Sequence, residues 1–363
     1  MTDRYAEHRA IARDLGVDAI ALVPGSNFER LYNASFGSHE RPMVIIIPVI
    51  GAPVALVPNL ELLSFEALGF EGAVFDWRDQ TGYSDAFAAM AAHLPLTSLA
   101  VEGQVMRVFV HHALATAYPG LRILDAEAQI SGLRLRKTPD EISALTAAIR
   151  LSEAALAETI AEVKPGMTER QVESLLVAAL FRNGADGLSF GPIVAAGGNA
   201  AMPHAHARDV AIAPGDALLI DFGGRKDGFT ADITRTFFIG HADDRAHQVY
   251  DTVLRANMAG HAVTRAGVTA HLIDDAVTSV LEASAFADYI RTKTGHGLGR
   301  DVHEAPYIMR GNHEVLAAGT VFTNEPGLYI PNEIGVRIED DILVTDGGAL
   351  SLTEFPKDLT VIS

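Results

Sequence analysis

Cysteine is absent from the 363 residues. No disulfide can form, no thiolate can hold a metal ion, and no cysteine can serve as nucleophile. Cations are also scarce: 28 lysines and arginines stand against 46 aspartates and glutamates, a formal charge of −18. Nucleic acid and anionic membrane surfaces both select cationic proteins, so the balance argues against either as a partner. Long apolar runs are missing too. The longest, Met43 to Pro58, is interrupted by Pro48, Gly51 and Pro53, too short and broken for a membrane span, and it reads as a β-hairpin. The opening residues, MTDRYAEHRAIARDLG, are polar and lack the apolar stretch of a secretion signal, so a cytoplasmic protein is expected. No internal repeat, low-complexity tract or coiled-coil heptad is present.

What is there supports a folded chain. Apolar residues make up 48% and charged ones 20%, enough to bury a sizeable core, and the length favours two domains over one. The first 130 or so residues alternate short apolar runs with helical patterns. Strands are predicted at Asp18–Val23, Met43–Val49, Val54–Val57, Ala73–Trp77 and Ser98–Glu102, and helices near Tyr5–Asp14, Ser84–His93 and Val105–Ala117. That alternation reads as α/β. A boundary falls near Gly132–Lys137, dividing the chain into residues 1–133 and 134–363. There Thr138-Pro139-Asp140-Glu141 supplies an N-cap, a proline suited to the first helical position and the acid of a capping box. A long helix to about Val163 should follow. Thr168-Glu169-Arg170-Gln171 repeats the pattern for a second helix, and two more are predicted at Asp244–Arg265 and Ala270–Ser284. Strands and glycine-rich turns after Gly184 and from Gly319 onward make the second part α+β.

The strongest chemical signal lies in Ala217–Phe238, where two apolar strands flank Gly-Gly-Arg-Lys-Asp-Gly. A turn centred on Lys226-Asp227 would place Asp221 directly opposite Asp232. Opposed Cβ atoms lie roughly 4.5–5.5 Å apart, and like charges there repel. In Val321–Val344, a turn centred on Asn332 would place Glu325 opposite Glu339. Between the hairpins lies Thr294-Gly295-His296-Gly297-Leu298-Gly299, a histidine framed by glycines that permit close backbone approach. Four carboxylates and an imidazole suit two divalent ions, Mn²⁺, Co²⁺, Fe²⁺ or Zn²⁺, about 3.5–4 Å apart. Such ions activate water at neutral pH, polarise a carbonyl and hold a free amine, which are the components of peptide hydrolysis.

The stretches IDFGG with ADITRTF, TGHGLGRDVHE, TNEPGLYI and GVRIEDD resemble the pita-bread metallopeptidases, from about Lys137 to the end. That family includes prolidase, aminopeptidase P and methionine aminopeptidase, with creatinase as a relative that shares the fold without the metal chemistry. The resemblance implies an α+β pita-bread catalytic domain and five metal ligands: Asp221, Asp232, His296, Glu325 and Glu339. It makes Asp232 and Glu339 the bridging pair, Glu325 the proton shuttle, and His204 and His303 substrate-side histidines able to bond the scissile amide or developing oxyanion. The first half, with LVPGSNFERLYNASFG, HERPMVIIIP and VALVPNLE, resembles the extra α/β domain of the creatinase, prolidase and aminopeptidase P branch. Methionine aminopeptidase lacks that domain, so its activity is not expected here. In the branch this domain often covers the site of a partner in a homodimer, which brings Arg41 into question as a substrate contact.

A dipeptidase needs a cation for the substrate's free carboxylate. The resemblance implies an arginine four residues after His303, where this chain has Tyr307. Arg310, and Arg41 from a partner, are the candidate replacements, while Arg337, two residues before Glu339, could orient that carboxylate or reach a peptide carboxylate. The leading expectation is an Xaa-Pro dipeptidase acting on proline-containing dipeptides or short peptides, most naturally with manganese. Aminopeptidase P is the alternative, then a creatinase-like or other amide C–N hydrolase. A non-catalytic scaffold is disfavoured because all five ligand positions are filled.

Overall fold

The computed structural model describes residues 3–37 and 39–363. Met1 and Thr2, which begin the polar opening stretch, and Ser38 lie outside the described residues. The chain divides into two compact units, Met1–Arg134 and Leu135–Ser363.

The first unit is α/β. Strands β1 (Ala19–Leu22), β2 (Val44–Pro48), β3 (Val54–Pro58), β4 (Ala73–Trp77), β5 (Ser98–Val101) and β6 (Arg122–Asp125) form one sheet in the order β4-β3-β2-β1-β5-β6. The run from Met43 to Pro58 is the hairpin of β2 and β3, with Val44 paired to Leu56. The four inner strands, β3, β2, β1 and β5, are buried at every position because both faces are covered. Ala19 and Ala21 join one buried cluster and Ile20 and Leu22 the other, all four inaccessible to solvent.

The second unit is α+β. Its long helix, Pro139–Glu162, starts at Thr138, whose side chain accepts from the Glu141 amide while Glu141 reaches back to the Thr138 amide. Helix Glu169–Arg182 starts with the same box on Thr168 and Gln171. Leu145, Ile149 and Leu156 of the first helix and Val172, Leu176 and Leu180 of the second share one core with strands Ala217–Phe222 and Ile233–Ile239. Truncating one of these leucines to alanine costs about 2–5 kcal/mol. Helix Asp244–Val263 packs mainly on Ala270–Glu282 and closes a second core with Leu328, Val336 and Ile338. Three further strand sets complete the unit: a three-stranded sheet of Gly187–Leu188, Gly224–Lys226 and Phe229–Thr230, a five-stranded sheet that includes Gly295–Gly297, Val321–Asn324 and Asp340–Thr345, and the hairpin of Gly327–Ile330 with Ile334–Arg337. Among the described residues, no helix is long and apolar enough to cross a membrane.

Candidate active site

The first acidic hairpin turns one residue later than its sequence predicts. Lys226 pairs with Phe229 and Arg225 with Thr230, so Asp227-Gly228 occupies the two-residue turn. Both have positive φ, 49° and 81°, the requirement of the tight turn that Asp-Gly favours. Asp221 consequently faces Thr234 rather than Asp232. The correction does not separate the acids. Asp232 lies two residues from Thr234, and side chains two apart share a face, so the aspartates are diagonal neighbours.

The second hairpin keeps the register read from its sequence. Asn332 sits at the turn with φ 61°, Gly327 pairs with Arg337, and Asn324 pairs with Asp340. The same offset on both sides sets Glu325 against Glu339. His296 is brought alongside because its strand is unusually close to its neighbours. A Cβ on Gly295 would lie 1.7 Å from the Thr323 carbonyl oxygen, and one on Gly297 would lie 2.1 Å from that of Ala305. Only glycine fits at either position.

These elements deliver one buried acid cluster. Oxygens of Asp221, Asp232 and Glu339 lie within 4.8 Å of one another, as do ligand atoms of His296, Glu325 and Glu339. Glu339 belongs to both groups. His296 Nε2 lies 3.2 Å from Glu325 Oε1 and 3.7 Å from Asp232 Oδ2, while Nδ1 lies 3.1 Å from the Gly297 carbonyl oxygen. With Nδ1 protonated toward that carbonyl, Nε2 can carry a second proton toward Glu325 or give its lone pair to a bound cation. The second arrangement is that of a metal-ligating histidine, whose other ring N–H goes to a carbonyl or carboxylate. Asp221 Oδ1 is buried with no hydrogen-bond partner, which points to a cation as well.

Electrostatics agree. Burial, then Glu339 and Asp221, push Asp232 well above the usual carboxylate range. Burial, then Glu325 and Asp221, do the same to Glu339 despite the Arg337 guanidinium. Burial also raises Asp221 against the pull of Arg337. Glu325 is the exception: burial would raise it, but the His296 bond and charge, with Arg337 and Lys293, hold it below its ordinary value. Four crowded carboxylates and an imidazole form a hard-to-borderline donor set that fits divalent metal.

Arg337 braces the cluster. It is 2% exposed and donates from Nε to Thr234 Oγ1 at 3.0 Å, from Nη1 to Tyr329 Oη at 2.8 Å and from Nη2 to Asp221 Oδ2. With each of its three nitrogens bonded to the protein, Arg337 positions acids, and it also lines the cavity. Behind the cluster, Asp341 Oδ2 accepts from the Asp232 amide at 3.3 Å.

A cavity of about 500 Å³ opens on the cluster. His204 and His303 line it. The His303 ring lies 3.9 Å from that of His296, centroid to centroid, and partial burial, with the His296 charge, lowers its pKa to about 4. Phe190, Ile193 and Val302 supply an apolar wall.

Two proposed clamps are paired with acids. Arg310 bonds Glu282 through Nη1 at 2.6 Å and Nη2 at 3.0 Å, and Asp275 through Nε at 3.0 Å, so its fork is filled by acids of helix Ala270–Glu282. Arg41, in the first unit, forks onto Asp79 at 2.8 and 3.0 Å. Tyr307 meets the cavity through Lys293, whose Nζ lies 5.7 Å from its ring centroid. Lys293 and Arg291 line the cavity and escaped sequence reading. Their one signal was a basic Arg-Thr-Lys just before the glycine-framed histidine in an otherwise acidic chain.

Residues 143–346 match the model of metallopeptidase family M24, and residues 4–136 match that of the creatinase/prolidase N-terminal domain. A probable dipeptidase, PepE, of Mycobacterium tuberculosis is 33% identical over 99% of this chain and 96% of that protein. Among solved structures, a prolidase from Thermococcus sibiricus superposes with a TM-score of 0.93 at 30% identity, over 99% of this chain and 100% of that one. An Xaa-Pro dipeptidase from Bacillus anthracis gives 0.90 at 28% identity, over 99% of each chain.

Proposed function

The chain belongs to metallopeptidase family M24, and from that premise we propose that it is an Xaa-Pro dipeptidase using two divalent ions, manganese foremost. The observation that carries this reading is the pair of ligand groups sharing Glu339, with His296 Nε2 directed at their oxygens. Relatives described as dipeptidase and prolidase over nearly the whole chain support the substrate class. So does the cavity, which falls within the roughly 300–1,000 Å³ of small-molecule sites and has an apolar wall for a proline ring.

Asp221, Asp232, His296, Glu325 and Glu339 would hold the two ions, with Asp232 and Glu339 shared between them. Bound there, the ions supply Lewis acidity that activates water and polarises the scissile carbonyl. The protein's own groups do the rest. Glu325, held in its ionised form, accepts the proton of the attacking water and returns it to the proline nitrogen, which as a tertiary amide cannot leave without one. His204 and His303 donate to the carbonyl oxygen as its charge grows. The acids face the peptide's ammonium. A homodimer working in the cytoplasm, where short peptides arise from protein turnover, belongs to the same reading.

Hydrolysis of Ala-Pro beside Ala-Pro-Ala, with manganese supplied and then chelated, tests the proposal. Metal-dependent cleavage of the dipeptide alone supports it. Cleavage of the tripeptide replaces it with aminopeptidase P. Cleavage of neither, by protein that retains metal, redirects it to non-peptide amides.

A further inference from the structure

The cavity holds a cation that the protein does not neutralise. Lys293 lines it with its side chain exposed, and Nζ lies 5.7 Å from the Tyr307 ring centroid. Among the described residues Lys293 forms no ion pair, in a chain whose acids outnumber its cations. The other cations near the site are committed: Arg337 to Asp221, Thr234 and Tyr329, and Arg310 to Glu282 and Asp275. Arg291 Nη1 donates to the carbonyls of Asp288 and Ile290. Lys293 is also close enough to help lower the pKa of both Glu325 and His303, so its charge reaches across the reacting region.

The lining of the cavity therefore combines buried acids with an ammonium that has no acid partner among the described residues. A dipeptide is a zwitterion with the complementary charges. With its ammonium at the acids and its scissile bond beside Glu325, its carboxylate must lie on the far side of that bond. We infer that Lys293 receives the α-carboxylate of the bound dipeptide and thereby sets the length of peptide the site accepts. The inference rests on the Xaa-Pro dipeptidase reading. A longer peptide continues at that position as a neutral amide, which leaves the ammonium desolvated without a counter-charge. Tyr307 steadies the flexible lysine through its ring face. It serves the carboxylate indirectly, as a positioning residue.

The test compares Ala-Pro with its C-terminal amide, Ala-Pro-NH₂, using manganese-loaded wild type, Lys293→Met and Lys293→Arg. For Ala-Pro, Lys293→Met should raise KM about tenfold or more with a smaller change in kcat, since each tenfold step corresponds to about 1.4 kcal/mol of binding. KM for the amide should stay at or fall below that of wild type, because the desolvated ammonium that opposed it is gone. Lys293→Arg should keep most of the preference for the free acid. Equal weakening toward both substrates, or no change toward either, overturns the assignment while leaving the dipeptidase reading intact. Failure of wild type on both substrates removes that reading and the assignment with it.

Discussion

Thr234 Oγ1 donates to Glu339 Oε2 at 2.5 Å while accepting from Arg337 Nε at 3.0 Å. Thr234 stands opposite Asp221, which Arg337 holds through Nη2. One buried guanidinium thus orients carboxylates from both hairpins. Thr234→Val keeps the shape and deletes the relay. Metal affinity should fall about 10–100-fold, as when other outer partners of ligands are lost. A manganese titration reads this directly, and unchanged affinity would show that the relay orients nothing.

Asp232→Ala separates function from stability. Asp232 is crowded by Glu339, Asp221 and Glu325 in a buried setting that disfavours its charge. Removing it should abolish Ala-Pro hydrolysis yet leave the metal-free protein at least as stable as wild type, because a repulsion goes with it. Thermal melts in chelator check the second half. A large drop in Tm would mean that the cluster stabilises the empty fold.

Arg310→Ala should leave kcat/KM for Ala-Pro within about twofold and cost no more than about 1 kcal/mol in stability, the range of exposed ion pairs. Its partners Glu282 and Asp275 are themselves exposed. A selective rise in KM for the dipeptide would return Arg310 to the substrate.

Legibility from sequence followed the range of the forces involved. The capping boxes at Thr138 and Thr168 are local, and the helices begin where those residues place them. Asn332 fixed its hairpin because a single positive-φ residue set the centre. At Lys226-Asp227-Gly228 two centres were available, and only the left-handed preference of Asp-Gly decides between them. The cations were the hard part. Whether an arginine serves substrate or structure depends on which acids the fold brings to it, and the acids on Arg310 lie 28 and 35 residues away. Lys293 had no motif to announce it. Short elements such as Ser26–Tyr32 and Arg122–Asp125 carry too little periodicity to be seen.

His8 gives the first unit a pH-dependent weakness. It is 1% exposed, neither ring nitrogen has a partner, and burial, aided by Arg30 and opposed by Glu7, lowers its pKa from 6.5 to about 4. Above pH 6.5 the ring is neutral folded or unfolded and contributes nothing. As pH falls from there toward 4, the unfolded chain takes up a proton that the folded one refuses, and about 3 kcal/mol of stability is lost. Urea midpoints at pH 7 and 4.5 for wild type and His8→Phe should show a smaller acid loss in the variant. Identical losses would assign acid sensitivity to other groups.

Manganese titration of chelator-stripped protein, wild type beside Glu339→Gln, with Ala-Pro hydrolysis followed in the same samples, tests the shared-ligand centre most directly. Wild type should bind about two ions per chain and become active as they bind, while Glu339→Gln should bind weakly at both positions and stay inactive. Undiminished hydrolysis by the stripped protein, or full activity in Glu339→Gln, would contradict the account.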